Sequence, residues 1–147
     1  MNQIRVRALT LDDYERWMSV WQRAGLHSIR PQGRDSREAF ARQLASGTHT
    51  MLGLEVGQDL AGVVLATHDG RKGWINRLAV VPDHRGQGFA ARLIAEAEQV
   101  LRRQGMTVIA ALIEPHNDAS LALFRKLGYA EPPEGMHYVS KRDEPQA

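Results

Sequence analysis

The sequence predicts a mixed α/β fold: one sheet containing antiparallel and parallel strands, with helices on both faces. Three observations lead there. Residues 51–81 carry three successive strand patterns separated by short turns, as a meander does. Residues 90–101 carry one apolar stripe at helical spacing. Residues 107–113 are an almost unbroken apolar run, the pattern of a central strand covered on both faces. A meander that leads through a helix into a further strand closes a βαβ crossover onto the same sheet.

Taken in order, Ile4, Val6 and Ala8 alternate with Arg5 and Arg7, which predicts a half-buried strand. Thr10 and Asp13 have the spacing of a capping box, and Leu11, Tyr14, Trp17, Met18 and Trp21 recur at helical spacing up to a stop at Gly25. Residues 26–34 form a polar loop, and Asp35 is placed to cap a second short helix ending near Gly47. Strands over 51–56 and 60–67 are joined by the turn Gly57-Gln58-Asp59, and a third covers 74–81 until Pro82 stops it. A glycine-rich segment follows. Ala90, Leu93, Ile94, Ala97, Val100 and Leu101 then make one helical stripe, with Gly105 just past its end. After the run at 107–113, Pro115-His116-Asn117-Asp118 breaks the chain before a helix over 119–127 that Gly128 ends. A last strand is expected at 136–140, with 141–147 a frayed tail. The expected order is β-α-α-β-β-β-α-β-α-β.

The 147 residues fit a single domain over 1–147. With no cysteine, a disulfide framework, a thiolate metal site and a thiol nucleophile are excluded. Nothing in the pattern asks for a metal. Nineteen basic against 17 acidic residues leave a net charge of +2, too balanced for a nucleic-acid partner. No apolar run reaches the roughly 20 residues of a membrane span, and the first residues lack a signal-peptide core. The expectation is a cytoplasmic protein with neither membrane nor nucleic acid as partner. Between residues 71 and 103, Arg71, Lys72, Arg77, Arg85, Arg92, Arg102 and Arg103 outnumber Asp83, Glu96 and Glu98. That stretch either attracts a small anion or is a solvated helix face.

The segment Arg85-Gly86-Gln87-Gly88-Phe89-Ala90 lies between a strand and a helix. Free N–H groups at a helix N-terminus, with about half a unit of positive dipole charge, bind anions. Glycines let a phosphate approach the backbone, and an arginine adds a planar charged donor. A Walker A loop does not match. Gly86-x-Gly88-x-x-Ala91, with Glu114 near the end of the following strand, does match a dinucleotide fingerprint. Its context does not, because residues 82–85 separate it from its strand and a meander precedes it.

Residues 78–90, with Arg85, Gly88 and Ala90 in the pattern Arg/Gln-x-x-Gly-x-Gly/Ala, resemble motif A of the GNAT superfamily of N-acetyltransferases. Residues 114–129, with Asn117, Phe124-Arg125-Lys126-Leu127-Gly128-Tyr129, resemble the family's Asn-x-x-Ala/Ser…Tyr-x-Lys-Leu-Gly-Phe segment. The separation of the blocks by one helix and one strand is also the family's, and the resemblance spans nearly the whole chain.

The resemblance implies a splay between the fourth and fifth strands that takes the pantetheine of acetyl-CoA. Leu78, Ala79 and Val80 would face the pantetheine and thioester. Arg85, Gly86, Gln87, Gly88, Phe89 and Ala90 would hold the pyrophosphate. Asn117 would touch the pantetheine or serve as a plain helix N-cap, and Phe124 and Lys126 would flank the co-substrate. The implied reaction is direct acetyl transfer to a primary amine, with no covalent enzyme intermediate, in keeping with the absent cysteine. A backbone N–H near Val80 would stabilise the oxyanion.

Two positions depart from the family. Phe124 stands where it has a tyrosine acid, and Asn76 where many members carry an acidic residue. Glu114 and Tyr138 are the first candidates for base and acid, with His116, Tyr129 and His137 behind them. The acceptor, a small molecule or a peptide amine, would be framed by Trp17, Trp21, His27, Ser28, Ile29 and Arg30, with residues 136–138 opposite. Arg30 has the chemistry to pair with an acceptor carboxylate. The resemblance leaves room for a homodimer. The second reading is a coenzyme A-binding sensor without catalysis, which Phe124 and Asn76 favour.

Overall fold

Alternating Ile4, Val6 and Ala8 form β1 (Ile4–Ala8), antiparallel to β2 (His49–Val56) with Ile4 opposite Val56 and Ala8 opposite Leu52. The structure, a computed structural model, describes residues 2–147. Next come β3 (Asp59–His68) and β4 (Gly73–Val80), which complete the antiparallel meander. Finally β5 (Ile109–Ala111) joins parallel to β4, so strand order follows chain order. The helices are α1 (Tyr14–Ala24), α2 (Arg37–Ala45), α3 (Phe89–Arg103) and α4 (Asp118–Lys126).

The period of two along a strand sends neighbours to opposite faces. Met51, Val63, Leu65 and Val81 join Trp17, Trp21 and Phe40 in the layer beneath α1 and α2. Leu52, Leu54, Val64 and Ile75 join Leu93, Ile94, Ala97, Leu101 and Phe124 beneath α3 and α4. On β4 the alternation breaks: Ile75 lies in one layer and Ala79, four residues on, in the other. The register explains it, since Leu65 pairs with Asn76 and Val63 with Ala79, leaving Val64 opposite both Arg77 and Leu78. That is a β-bulge, and Arg77 within it has φ +53°.

Helix ends follow the glycines. Gly25 caps α1 in the left-handed region at φ +80°, and Gly105 leaves α3 at φ +93°. The Asp13 carboxylate accepts the Thr10 N–H at 3.0 Å, the reciprocal half of the expected capping box.

Four expectations are corrected. Residues 136–140 form no strand: Met136, Tyr138 and Val139 are 83%, 74% and 85% exposed. A strand needs a ladder, and the turn closed by the Gly135 N–H on the Pro132 carbonyl sets these residues off β5. The run 107–113 is not a central strand. Only Ile109–Ala111 pair, on one edge, and the segment is half-buried because β5 ends the sheet. Asp35 does not cap α2. Ser36 does, its hydroxyl accepting the Ala39 N–H at 3.1 Å, while the buried Asp35 carboxylate is taken by Arg77 at 2.6 Å. A carboxylate out of water needs a charge partner more than a helix needs a second cap. The tail is not free, because Gln146 lies against Gly33 and Arg34 Nη1 donates to the Ala147 main-chain oxygen at 3.2 Å. Among the described residues no helix is long and apolar enough to cross a membrane.

One buried charge cluster ties β1, β2 and α1. Glu55, 4% exposed, accepts from Arg5, Arg7 and Arg16 at 2.9–3.1 Å, and Asp13 accepts from Arg7 and Arg16 at 3.0 Å. The Arg7 guanidinium, working against burial, pulls each carboxylate down to about 2. Both folded values lie below the unfolded ones. The stabilisation is therefore complete above about pH 5 and is lost as pH falls toward 2. Removing one partner of a buried charge pair costs about 3–5 kcal/mol. Glu55→Gln should lower the unfolding free energy at pH 7 by about 3 kcal/mol and flatten its loss between pH 5 and pH 3, measured by denaturant unfolding at each pH.

Candidate functional site

The bulge opens the sheet. β4 and β5 pair only through Gly73–Ile109, Trp74–Ala110 and Ile75–Ala111, yet β4 runs on to Val80. From Asn76 onward its outer edge has no strand beside it. A bulge bends and twists its strand, and the chain beyond β5 turns away through the Asn117 N–H to Glu114 carbonyl bond at 3.0 Å. The Val81 N–H donates to Ala61 on β3 at 2.9 Å. Alternation along the strand therefore directs the Val80 N–H and C=O to the open edge. The Val80 carbonyl is met there by Arg85 Nε at 3.1 Å.

At the end of that edge stands the glycine loop. A short turn, Pro82–His84, leads to Gly86 and Gly88 at φ +78° and +80°, a region that L side chains occupy only at a cost. Gly88 is the N-cap of the 15-residue α3, which has no capping side chain and no acidic residue in its first turn. Its first N–H groups thus lack acceptors. A Cβ at Gly86 or Gly88 would meet no protein atom within 4 Å. Room, free donors and the helix dipole together make an anion site. Phe89, 6% exposed, roots the first turn in the core, and Gln87 is exposed. The Arg85 guanidinium turns inward, to Val80 and, at 3.4 Å, to the Ala24 carbonyl at the end of α1, so it braces the loop.

The other candidates fall into two groups. A groove of about 940 Å³ along β5 and α4 brings together Asn76, Phe124, Tyr129, His137 and Tyr138. Asn76 Nδ2 donates to Thr67 Oγ1 at 2.9 Å, and Tyr138 is exposed. Phe124, 4% exposed, meets Tyr129 edge-on at 4.9 Å between ring centroids. The Tyr129 hydroxyl donates to Glu98 Oε2 at 2.5 Å, and burial, then that bond, push it well above the usual tyrosine range. It is held as a donor and is a weak acid. Glu114 does not line this groove. It is exposed after β5 and pairs with His116 at 3.2 Å. Asn117 has the N-cap role, accepting the Ser120 N–H at 3.2 Å, and Lys126 is exposed at the end of α4. Leu78 and Val80 are half-buried against the layer of α3, and Ala79 is buried on the other face.

Sequence reasoning missed the pair that sets the site's second wall. Arg77, at the bulge, reaches Asp35 Oδ1 at 2.6 Å and the Ser28 carbonyl at 3.1 Å, and its guanidinium lies 5.2 Å over the Trp21 ring. Trp21 Nε1 returns a bond to the Arg77 carbonyl at 3.2 Å. The loop of residues 26–36 is thus fastened to the open stretch of β4. The two adjacent polar residues Asn76-Arg77 inside a strand whose other side chains are apolar were the available signal. Trp17 and Trp21 are fully buried, the core role their spacing allowed.

Comparison with known proteins gives a consistent result. The profile of the acetyltransferase (GNAT) family matches residues 8–129. An acetyltransferase of Pectobacterium atrosepticum, ECA0875, is 32% identical over 126 residues, covering 86% of this chain and 87% of its own. An acetyltransferase of Sodalis glossinidius, SG1711, is 31% identical over the same shares. Among solved structures, AAC(6')-Iy with a bisubstrate analogue superposes with a TM-score of 0.78 at 17% identity, over 95% of this chain and 99% of that one. The PaiA N-acetyltransferase of Thermoplasma acidophilum, with coenzyme A, does so with 0.75 at 18% identity, over 88% and 91%.

If the Arg77–Asp35 pair fastens the loop, Asp35→Ala leaves a buried guanidinium unpaired, at a cost of about 3 kcal/mol. Unfolding should show that loss, and limited proteolysis should cut faster within residues 26–36 than in wild type.

Proposed function

The chain belongs to the acetyltransferase (GNAT) family, and from that premise we propose that it moves the acetyl group of acetyl-CoA to the primary amine of a small acceptor by direct attack. The observation that carries the reading is the coincidence of two vacancies of bonding: the β4 edge beyond Ile75 and the N–H groups that open α3. A co-substrate with an extended diamide arm and a pyrophosphate matches both in order.

Acetyl-CoA supplies an activated acyl group as a thioester. The chain's own residues do the rest. The N–H groups of Gly86, Gln87, Gly88, Phe89 and Ala90 hold the pyrophosphate, and Leu78, Ala79 and Val80 align the arm along the open edge. The Val80 N–H, directed to that edge, donates to the carbonyl oxygen as charge develops on it. An alkyl amine of ordinary pKa is mostly protonated at pH 7, and freeing it costs about 4–5 kcal/mol. Glu114, on the loop that follows β5, is the proposed base, through water. Tyr138 is the proposed acid, since Phe124 has no proton to give and Tyr129 holds its proton tightly. Family membership favours this enzyme over a silent coenzyme A sensor.

Three outcomes are expected. Acetyl-CoA at a hundred times its Kd should stabilise the fold by about 2.7 kcal/mol in thermal unfolding, with no comparable effect of NAD. Gly88→Val should weaken that binding at least tenfold, about 1.4 kcal/mol, because its Cβ fills open space that a phosphate would enter, and since φ +80° also strains a β-branched residue, binding is compared only once unfolding shows that the variant is folded. Unaltered binding by a folded Gly88→Val protein places the pyrophosphate elsewhere. Glu114→Gln should remove the lower-pH limb of kcat/KM, and an unchanged profile eliminates that residue as base.

A further inference from the structure

We infer that His84, through its bond to Asp59, positions the glycine loop for the pyrophosphate of acetyl-CoA. The inference rests on the acetyl-transfer reading and adds a positioning residue to the same site.

The loop has little of its own to hold it. Among the described residues the N–H groups of Gly86, Gln87 and Gly88 donate to no other backbone group, and α3 has no capping side chain. Two glycines add their conformational freedom. Whatever fixes the segment must therefore sit at its flanks. On the far side Phe89 is buried in the core. On the near side, Asp83 is exposed and only 3.8 Å from Arg23, a loose surface pair. Arg85 reaches the Val80 and Ala24 carbonyls. His84 turns the other way. Its side chain is 20% exposed, and Nε2–H donates to Asp59 Oδ2 at 2.9 Å. An ionised carboxylate only accepts, so this bond sets which ring nitrogen carries the proton. The imidazole also lies 6.1 Å from the Phe89 ring, tilted by 39°. It is wedged between the start of β3 and the first residue of α3. Asp59 is a firm anchor, because its hairpin is bonded on both sides. The Gly57 N–H donates to the Gln3 carbonyl at 2.8 Å. Arg16, a member of the Glu55 cluster, donates to the Gln58 carbonyl at 3.2 Å. His84 thus ties the loosest part of the site to the most heavily bonded part of the molecule.

A segment that is ordered before its ligand arrives binds more tightly than one ordered by the ligand. Fixing the backbone of a single residue at the moment of binding lowers affinity on the order of tenfold. The His84–Asp59 bond does that fixing in advance. As a partly exposed pair it contributes little to global stability, so its loss acts on the loop and not on the fold. Charge gives the argument its discriminating sign. An acid near a phosphate loop repels the ligand. The carboxylate of Asp59 is therefore useful there as a tether and adverse as a charge, and its removal tells the two apart.

The test is calorimetric titration of acetyl-CoA into wild type, His84→Leu, His84→Gln, Asp59→Leu and the double leucine variant, each first shown to be folded by thermal unfolding. His84→Leu should bind about tenfold more weakly. His84→Gln keeps an N–H donor where the imidazole Nε2 stands and should stay within about twofold of wild type. Asp59→Leu should weaken binding as His84→Leu does, although loss of a nearby negative charge alone would strengthen it. The double variant should be no weaker than either single one, because both remove the same bond. Wild-type affinity in His84→Leu, wild-type or tighter affinity in Asp59→Leu, or a His84→Gln protein as weak as His84→Leu overturns the inference. Each of these leaves the transferase reading standing, since acetyl-CoA still binds the wild type. A wild type that takes no acetyl-CoA overturns both. If His84→Leu does not fold, Asp59→Leu and His84→Gln decide.

Discussion

The rest of the site depends on one extra residue in β4. Because Arg77 and Leu78 together oppose Val64, every side chain after them changes face, and the strand bends away from β5. Without the bulge, Ala79 would share the layer of Ile75, and β4 and β5 would have no local reason to part after Ile75. A non-glycine residue at φ +53° costs about 1–2 kcal/mol. The cost is offset by what the side chain does: Arg77, its side chain 13% exposed, has its guanidinium held by Asp35, Ser28 and the Trp21 face. Strain, ion pair and open edge are therefore one structure.

Rigidity on either side lets that edge stay open. The Glu55 and Asp13 cluster ties β1 and β2 to the start of α1, and Arg85 ties the end of α1 to the last carbonyl of β4. α1 is thus braced at both ends, and the loop that leaves it is pinned at Arg77. α3 is fixed differently, by Phe89, Leu93 and Leu101 in the core. Its N-terminal donors remain free because the two preceding glycines supply the turn without a capping side chain. The open β4 edge and the free N-terminus of α3 then share one rigid frame.

The far edge is looser. β5 has three residues, Leu112 is 64% exposed, and the chain from 130 onward is almost wholly exposed. The groove between β5, α4 and residues 136–138 places the polar groups Asn76, His137 and Tyr138 around Phe124. Its walls are a single short strand and a segment without a ladder. The polar groups of this groove therefore lie on the less constrained part of the molecule, and the glycine loop on the rigid part.

The sequence by itself determined much of this. Periodicity placed the meander, α1, α3 and α4, because each buries a continuous face and carries its own stop at Gly25, Gly105 or Gly128. The loop Arg85–Gly88 was legible because left-handed turns and bare helix N-termini leave a local signature. What only the tertiary structure decided involves partners far apart in the chain. A bulge is a mismatch between two strands, so nothing local to residues 77–78 announces it. Asp35 has the local chemistry of a cap, and only its burial beside Arg77, 42 positions away by their numbers, makes it an ion-pair partner. Residues 136–140 carry the strand-favouring Tyr138 and Val139, but a strand exists only where another offers its edge, and that depends on how the chain between Pro132 and Gly135 turns.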